Sequence, residues 1–96
     1  MSRGKLKQMY DIRGLMAEIE FGHRHGYDVS AKERELDKAL CFIESIDDAV
    51  IRAALKLFFV EGRSWANTAF HIGGYSYTAE SVKKAVYRFF DKCDGK

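Results

Sequence analysis

In the stretch TAESVKKAVYRFF, Thr78 to Phe90, three cations recur at short steps: Lys83, Lys84 and Arg88. At 3.6 residues per helical turn, Ser81, Lys84 and Arg88 share one line, with Glu80, Lys83, Tyr87 and Asp91 beside them. Such a ridge offers recognition rather than covalent chemistry. Arginine and lysine pair with guanine edges in the major groove, and serine bonds several groups there. The N-terminal part of a reading helix meets the bases, so Glu80, Ser81 and Lys84 are expected at or near base edges. Lys83, Tyr87 and Arg88 are expected on phosphate or flanking positions, and Tyr77 and Thr78, just ahead of the helix, join the same interface. Arg63, Ser64 and Asn67 begin the preceding helical segment, which can touch backbone phosphate. Tyr75 and Tyr77 flank Ser76 in the intervening turn. Either one packs over the turn while the other is exposed, or a tyrosine hydroxyl rests on a phosphate.

Other chemistry is thin. His23 and His25 flank Arg24, but a metal site needs further ligands converging on the pair. Loop solvation or phosphate contact is the expected role there. His71 falls near a helix C-terminus, where a cation is mildly favoured. Asp47-Asp48 reads as a helix start, not a catalytic pair. Gly73-Gly74 lacks the spacing and the following Lys-Ser/Thr of a phosphate loop. No nucleophile stands beside a base, so no enzyme, metal or cofactor is expected.

The elements that must position the ridge read as helices, because apolar residues recur at three- and four-residue steps and proline is absent. The first helix is predicted over about Lys5 to Phe21, and GHRHGYDVS, residues 22–30, as a loop. Ser30 and Glu33 match a capping box opening a helix to about Glu44, with Leu36, Ala39, Leu40 and Ile43 inward and Phe42 at the margin. Asp47 is the expected cap of a third helix, Asp48 to Glu61, apolar almost all round and therefore central. Gly62 is its natural stop. Ser64 caps a fourth helix, Trp65 to Ile72, with Trp65 in the core, and Gly73-Gly74 ends it. Thr78 caps a fifth, Ala79 to about Lys92, with Val82, Val86 and Phe89 facing inward. The two cysteines are expected to be unpaired, Cys41 buried and Cys93 in a frayed tail.

Composition agrees with one modest domain: 96 residues, 47% hydrophobic and 31% charged. The net charge is +2, unevenly spread. Residues 31–62 carry five Lys/Arg against seven Asp/Glu, and residues 63–96 carry six against three. A weak global charge with one basic end fits a local anionic partner better than nonspecific polycation behaviour. The N-terminus lacks the apolar core of a signal peptide and no run is long enough for a membrane span. A cytoplasmic protein without membrane contact is expected.

The elements Phe59, Gly62, Ser64-Trp65, Ala69, Ile72-Gly73-Gly74, Ser81-Val82-Lys83 and Val86-Tyr87-Arg88 together resemble the sigma-70 region 4-like helix-turn-helix. They are most similar to small ArpU/RinA-like regulators of phages and mobile elements. The likeness covers about half the chain. Phe59 stands where that pattern has tyrosine. Thr68 stands where it has an aliphatic residue, and there it either weakens the core or hydrogen-bonds its own helix. The resemblance implies sequence-specific binding to double-stranded DNA and control of transcription in a bacterial host, by recruiting, tethering or occluding RNA polymerase.

The expectation is thus an all-α protein of about five helices. Residues 1–45 form an N-terminal helical pair for packing or dimerisation, and residues 46–96 form the helix-turn-helix. The expected partner is double-stranded DNA, bound by a homodimer. The alternative is an adaptor that uses the same basic helix on a host protein, such as a polymerase subunit or a defence factor. A weaker third reading is a ring-forming DNA-packaging accessory.

Overall fold

Apolar side chains at helical spacing bury one stripe each, and five helices converge to cover them. The structure, a computed structural model, describes residues 4–95. The order is α1 (Gly4–His25), α2 (Ser30–Glu44), α3 (Ala49–Leu55), a π-helical turn (Lys56–Val60), α4 (Trp65–Gly73), a 3-10 turn (Gly74–Ser76) and α5 (Ala79–Gly95). The fold is all-α, with no strand among the described residues. No described helix is long and apolar enough to cross a membrane.

One hydrophobic cluster joins both halves of the chain. Leu6, Met9 and Ile12 of α1 and Ala39 and Ile43 of α2 meet Ile51, Ala54 and Leu55 of α3, Phe59, Ala69, and Val82, Val86 and Phe90 of α5. Trp65 lies at the edge of this cluster, half-buried, its ring stacked on Phe58 at 3.7 Å. Cys41 is exposed, contrary to expectation: it turns away from the inward line of Ala39 and Ile43.

α1 continues through Gly22 to His25, a full turn beyond the expected end, so the His-Arg-His segment is helical. Gly22 is buried because Val29 lies on it, and a Cβ there would run into the Val29 side chain. The helix stops one turn later at Gly26, with φ +75°. The Tyr27 amide donates to the Gly22 carbonyl at 2.8 Å, and the Gly26 amide to that of His23 at 3.4 Å. These two bonds are those of a Schellman ending.

The expected Ser30–Glu33 capping box does not form. The Ser30 amide and hydroxyl both donate to Asp28 Oδ1, at 3.0 and 2.6 Å. These bonds hold the Asp28 carboxyl below its ordinary pKa. Glu33 instead meets His23 Nε2 across the hairpin at 2.8 Å. The third helix also starts one residue late. Asp48, not Asp47, caps it, accepting from the amides of Val50 and Ile51.

The expected straight helix to Glu61 breaks its register after Leu55. In the π-helical turn the Glu61 amide reaches back five residues to the Lys56 carbonyl at 3.0 Å. Such a turn inserts one extra residue into the helix. Here it presents Phe59 to the core while Phe58 lies against Trp65. Arg13 of α1 donates to the freed Val60 carbonyl at 3.1 Å, and its guanidinium lies over Gly62. Gly62 ends the segment at φ +77°, as expected.

Thr68 is fully buried, and its hydroxyl has no hydrogen-bond partner among the described residues. An unpaired buried hydroxyl costs about 1–3 kcal/mol. Thr68→Val keeps the shape and removes that cost. It is expected to stabilise by about 1 kcal/mol, raising the melting temperature by roughly 4–8 °C. An unchanged or lowered midpoint in a thermal melt counts against this.

Candidate nucleic-acid interface

The ridge is held out by what lies under it. Val82, Val86 and Phe90 lock one side of α5 into the core. Glu80, Lys83, Lys84, Arg88 and Asp91 are then left exposed on the other side. Lys84 and Arg88 make no hydrogen bond or ion pair among the described residues. Lys83 stands 5.9 Å from the Tyr87 ring centre. Several other surface cations are ion-paired: Lys7 with Asp11, Arg24 with Glu20, Lys32 with Glu18 and Lys56 with Glu44. Exposed cations without hydrogen-bond or ion-pair partners among the described residues, such as Lys84 and Arg88, are what an anionic ligand would require.

The remaining expected residues divide by how far the chain itself uses them. Ser81 and Thr78 close a reciprocal box at the start of α5. The Ser81 amide donates to Thr78 Oγ1 and the Thr78 amide to Ser81 Oγ, both at 3.1 Å. The Ser81 hydroxyl proton goes to the Thr78 carbonyl at 3.0 Å. Both side chains therefore build the helix start before they can meet any ligand. Tyr87 is half-buried, its hydroxyl 2.5 Å from that of Tyr10 on α1. Burial, followed by the hydrogen bond and charge of Tyr87, pushes Tyr10 up to about 12. This pair ties α5 to α1 and fixes how the outward face sits on the molecule.

At the start of α4, Ser64 accepts from the Asn67 amide at 3.0 Å, the expected cap. Arg63 is half-buried and engaged on three sides. It donates to Glu61 at 2.8 Å, to Asn67 Oδ1 at 2.7 Å and to His71 Nε2 at 2.9 Å. Its charge is thus partly committed before any phosphate arrives. Because the guanidinium can only donate, His71 accepts through Nε2 and carries its proton on Nδ1.

The turn between α4 and α5 depends on its glycines. Gly74 sits at φ +59°, where an L side chain is strained. Gly73 carries the Tyr77 ring, and a Cβ there would run into it. Tyr77 therefore packs over the turn, while Tyr75 is 95% exposed. His23 and His25 do not converge: His23 faces Glu33, and His25 lies against Phe21 with ring centres 4.2 Å apart. No cluster of potential metal ligands occurs among the described residues.

The sequence reasoning missed Tyr10, Glu61 and His71. Asn67 and His71 lie four residues apart on one side of α4, and Arg63, just ahead of its Ser64 cap, reaches along that side. That signal was available. Tyr10 is 77 residues from Tyr87, and no local pattern announces the pair. Comparison with protein-family models, curated proteins and solved structures finds no match for this chain.

Proposed function

We propose that this protein is a sequence-specific DNA-binding regulator of transcription that lays α5 in the major groove. In this reading α4, the glycine turn and α5 act as a helix-turn-helix of the sigma-70 region 4-like kind, as in small ArpU/RinA-like phage regulators. The observation that carries it is the outward face of α5, where Lys84 and Arg88 stand exposed, without hydrogen-bond or ion-pair partners among the described residues, on a helix locked from behind by Val82, Val86 and Phe90. Glu80 and Lys84, both in the first two turns of α5, would meet base edges. Lys83 and Arg88 would take phosphates. On promoter DNA the module would recruit or occlude polymerase.

A homodimer suits this reading, because small DNA readers double their contacts by two-fold symmetry. Phe21 and Tyr27 leave apolar surface at the far end of the α1–α2 hairpin, lining a groove of about 440 Å³. A second copy would cover it.

Neutralising three or four phosphates per chain releases as many counterions, so log affinity for a duplex should fall against log salt with a slope of about −3. Fluorescence anisotropy on a labelled duplex measures this directly. A flat titration would remove the reading. The adaptor reading draws on Glu80 and Asp91, two exposed acids that interrupt the positive face. Capture of one host protein that survives nuclease treatment, together with that flat titration, would favour it.

A further inference from the structure

The turn into α5 accounts for nearly all its own residues. Gly73 and Tyr77 cover each other, Gly74 supplies the reversal, and Thr78 closes the box with Ser81. Ser76 and Tyr75 are the exceptions, both exposed. Tyr75 is 95% exposed, and its ring meets that of Phe70 edge to face at 5.6 Å, where Phe70 is itself 54% exposed. Isolated surface aromatics need no explanation. Here two are held against each other, one on α4 and one in the turn, four residues before α5 begins.

The geometry points to Tyr75, propped by Phe70, as a further contact to duplex DNA: its hydroxyl donates to a phosphate at the rim of the groove and its ring lies on the neighbouring deoxyribose. This inference rests on the DNA reading given above. A reading helix enters with its N-terminal end, so the turn immediately before it passes closest to the bordering backbone. Tyrosine hydroxyls are regular phosphate donors. The Tyr77 ring is occupied by Gly73, so of the two turn tyrosines Tyr75 is the one free to do this. The contact is neutral and releases no counterion. It therefore adds affinity without adding to the salt slope, which sets it apart from every contact made by Lys83, Lys84 or Arg88.

The test uses the full chain and a mixed-sequence duplex, with affinity measured across a range of salt. Tyr75→Ala is expected to bind on the order of tenfold more weakly, with the wild-type slope and the wild-type helical signal. Tyr75→Phe, which keeps the ring and loses the donor, should fall between the two. If the wild type binds and Tyr75→Ala matches it, or if the slope changes by about one unit, the Tyr75 contact is overturned while the DNA reading stands. If the wild type itself does not bind duplex, the DNA reading fails and this inference falls with it.

Discussion

Replacing Lys84 and Arg88 together with alanine should weaken duplex binding about a hundredfold while leaving the fold intact or slightly firmer. A base contact is worth about 1–3 kcal/mol, and a phosphate contact adds about one unit to the salt slope. Two such losses combine to roughly 2–4 kcal/mol, and each 1.4 kcal/mol is about tenfold. The shallower slope should appear in the same titration. Neither side chain has a hydrogen-bond or ion-pair partner among the described residues, so no such contact there is lost. The two are one helical turn apart and of like charge, which costs roughly 0.2–0.5 kcal/mol in the free protein. Alanine also has the higher helix propensity. An improved thermal midpoint beside a collapsed affinity would mark residues retained for a ligand at some cost in stability. Loss of helical circular dichroism in the double variant would make them structural instead.

Phe90→Ala is expected to have the largest effect on stability. The side chain is 2% exposed and its ring lies 6.3 Å from that of Phe42 and 5.2 Å from that of Phe89. It thus joins α2 to α5, the two ends of the core. Truncating a buried phenylalanine costs about 3–5 kcal/mol, against a total of roughly 5–15 kcal/mol for a domain of ordinary stability. At about 4–8 °C per kcal/mol the midpoint should drop by roughly 15–30 °C. Because Met9, Ile12 and Ile43 share one cluster with Val82, Val86 and Phe90, all five helices should still melt together. A shift of only a few degrees, or an α1–α2 pair that melts in a separate step, contradicts the single shared core.

The helices and the exposed ridge were legible in the sequence for the same reason. Both follow from the 3.6-residue period, and inward Val82 and Val86 fix the outward set by default, although Phe90 is buried with them and the expected Phe89 is only half-buried. The ends were harder to read. The loop expected over residues 22–30 starts later: Gly22 is the small helical residue on which Val29 packs, and the helix ends at Gly26. Ser30-Ala-Lys-Glu33 has the letters of a capping box. Asp28 competes better for the Ser30 amide, and His23 for Glu33, through a contact the local sequence does not encode. The π-helical turn follows from the need to bury Phe59 while stacking Phe58 on Trp65, which is a tertiary demand.

The candidate site shows the same limit. Exposure of Lys84 and Arg88 was readable, but the internal engagement of its neighbours was not. Ser81 and Thr78 satisfy each other with serine in the place usually held by Glu or Gln. Tyr87 is tied to Tyr10, and Arg63 to Glu61, Asn67 and His71. The candidate interface that remains is narrower than the sequence reading drew it, with Glu80, Lys83, Lys84 and Arg88 as its exposed residues.

Which surface meets the duplex can be read residue by residue from amide chemical shifts as DNA is added to the isotope-labelled protein. The account predicts that the largest changes fall on α5 between Glu80 and Asp91 and on the turn before it, with the interior faces of α1 and α2 undisturbed. Changes concentrated on α1 and α2 while the amides of Lys83, Lys84 and Arg88 stay in place would contradict it.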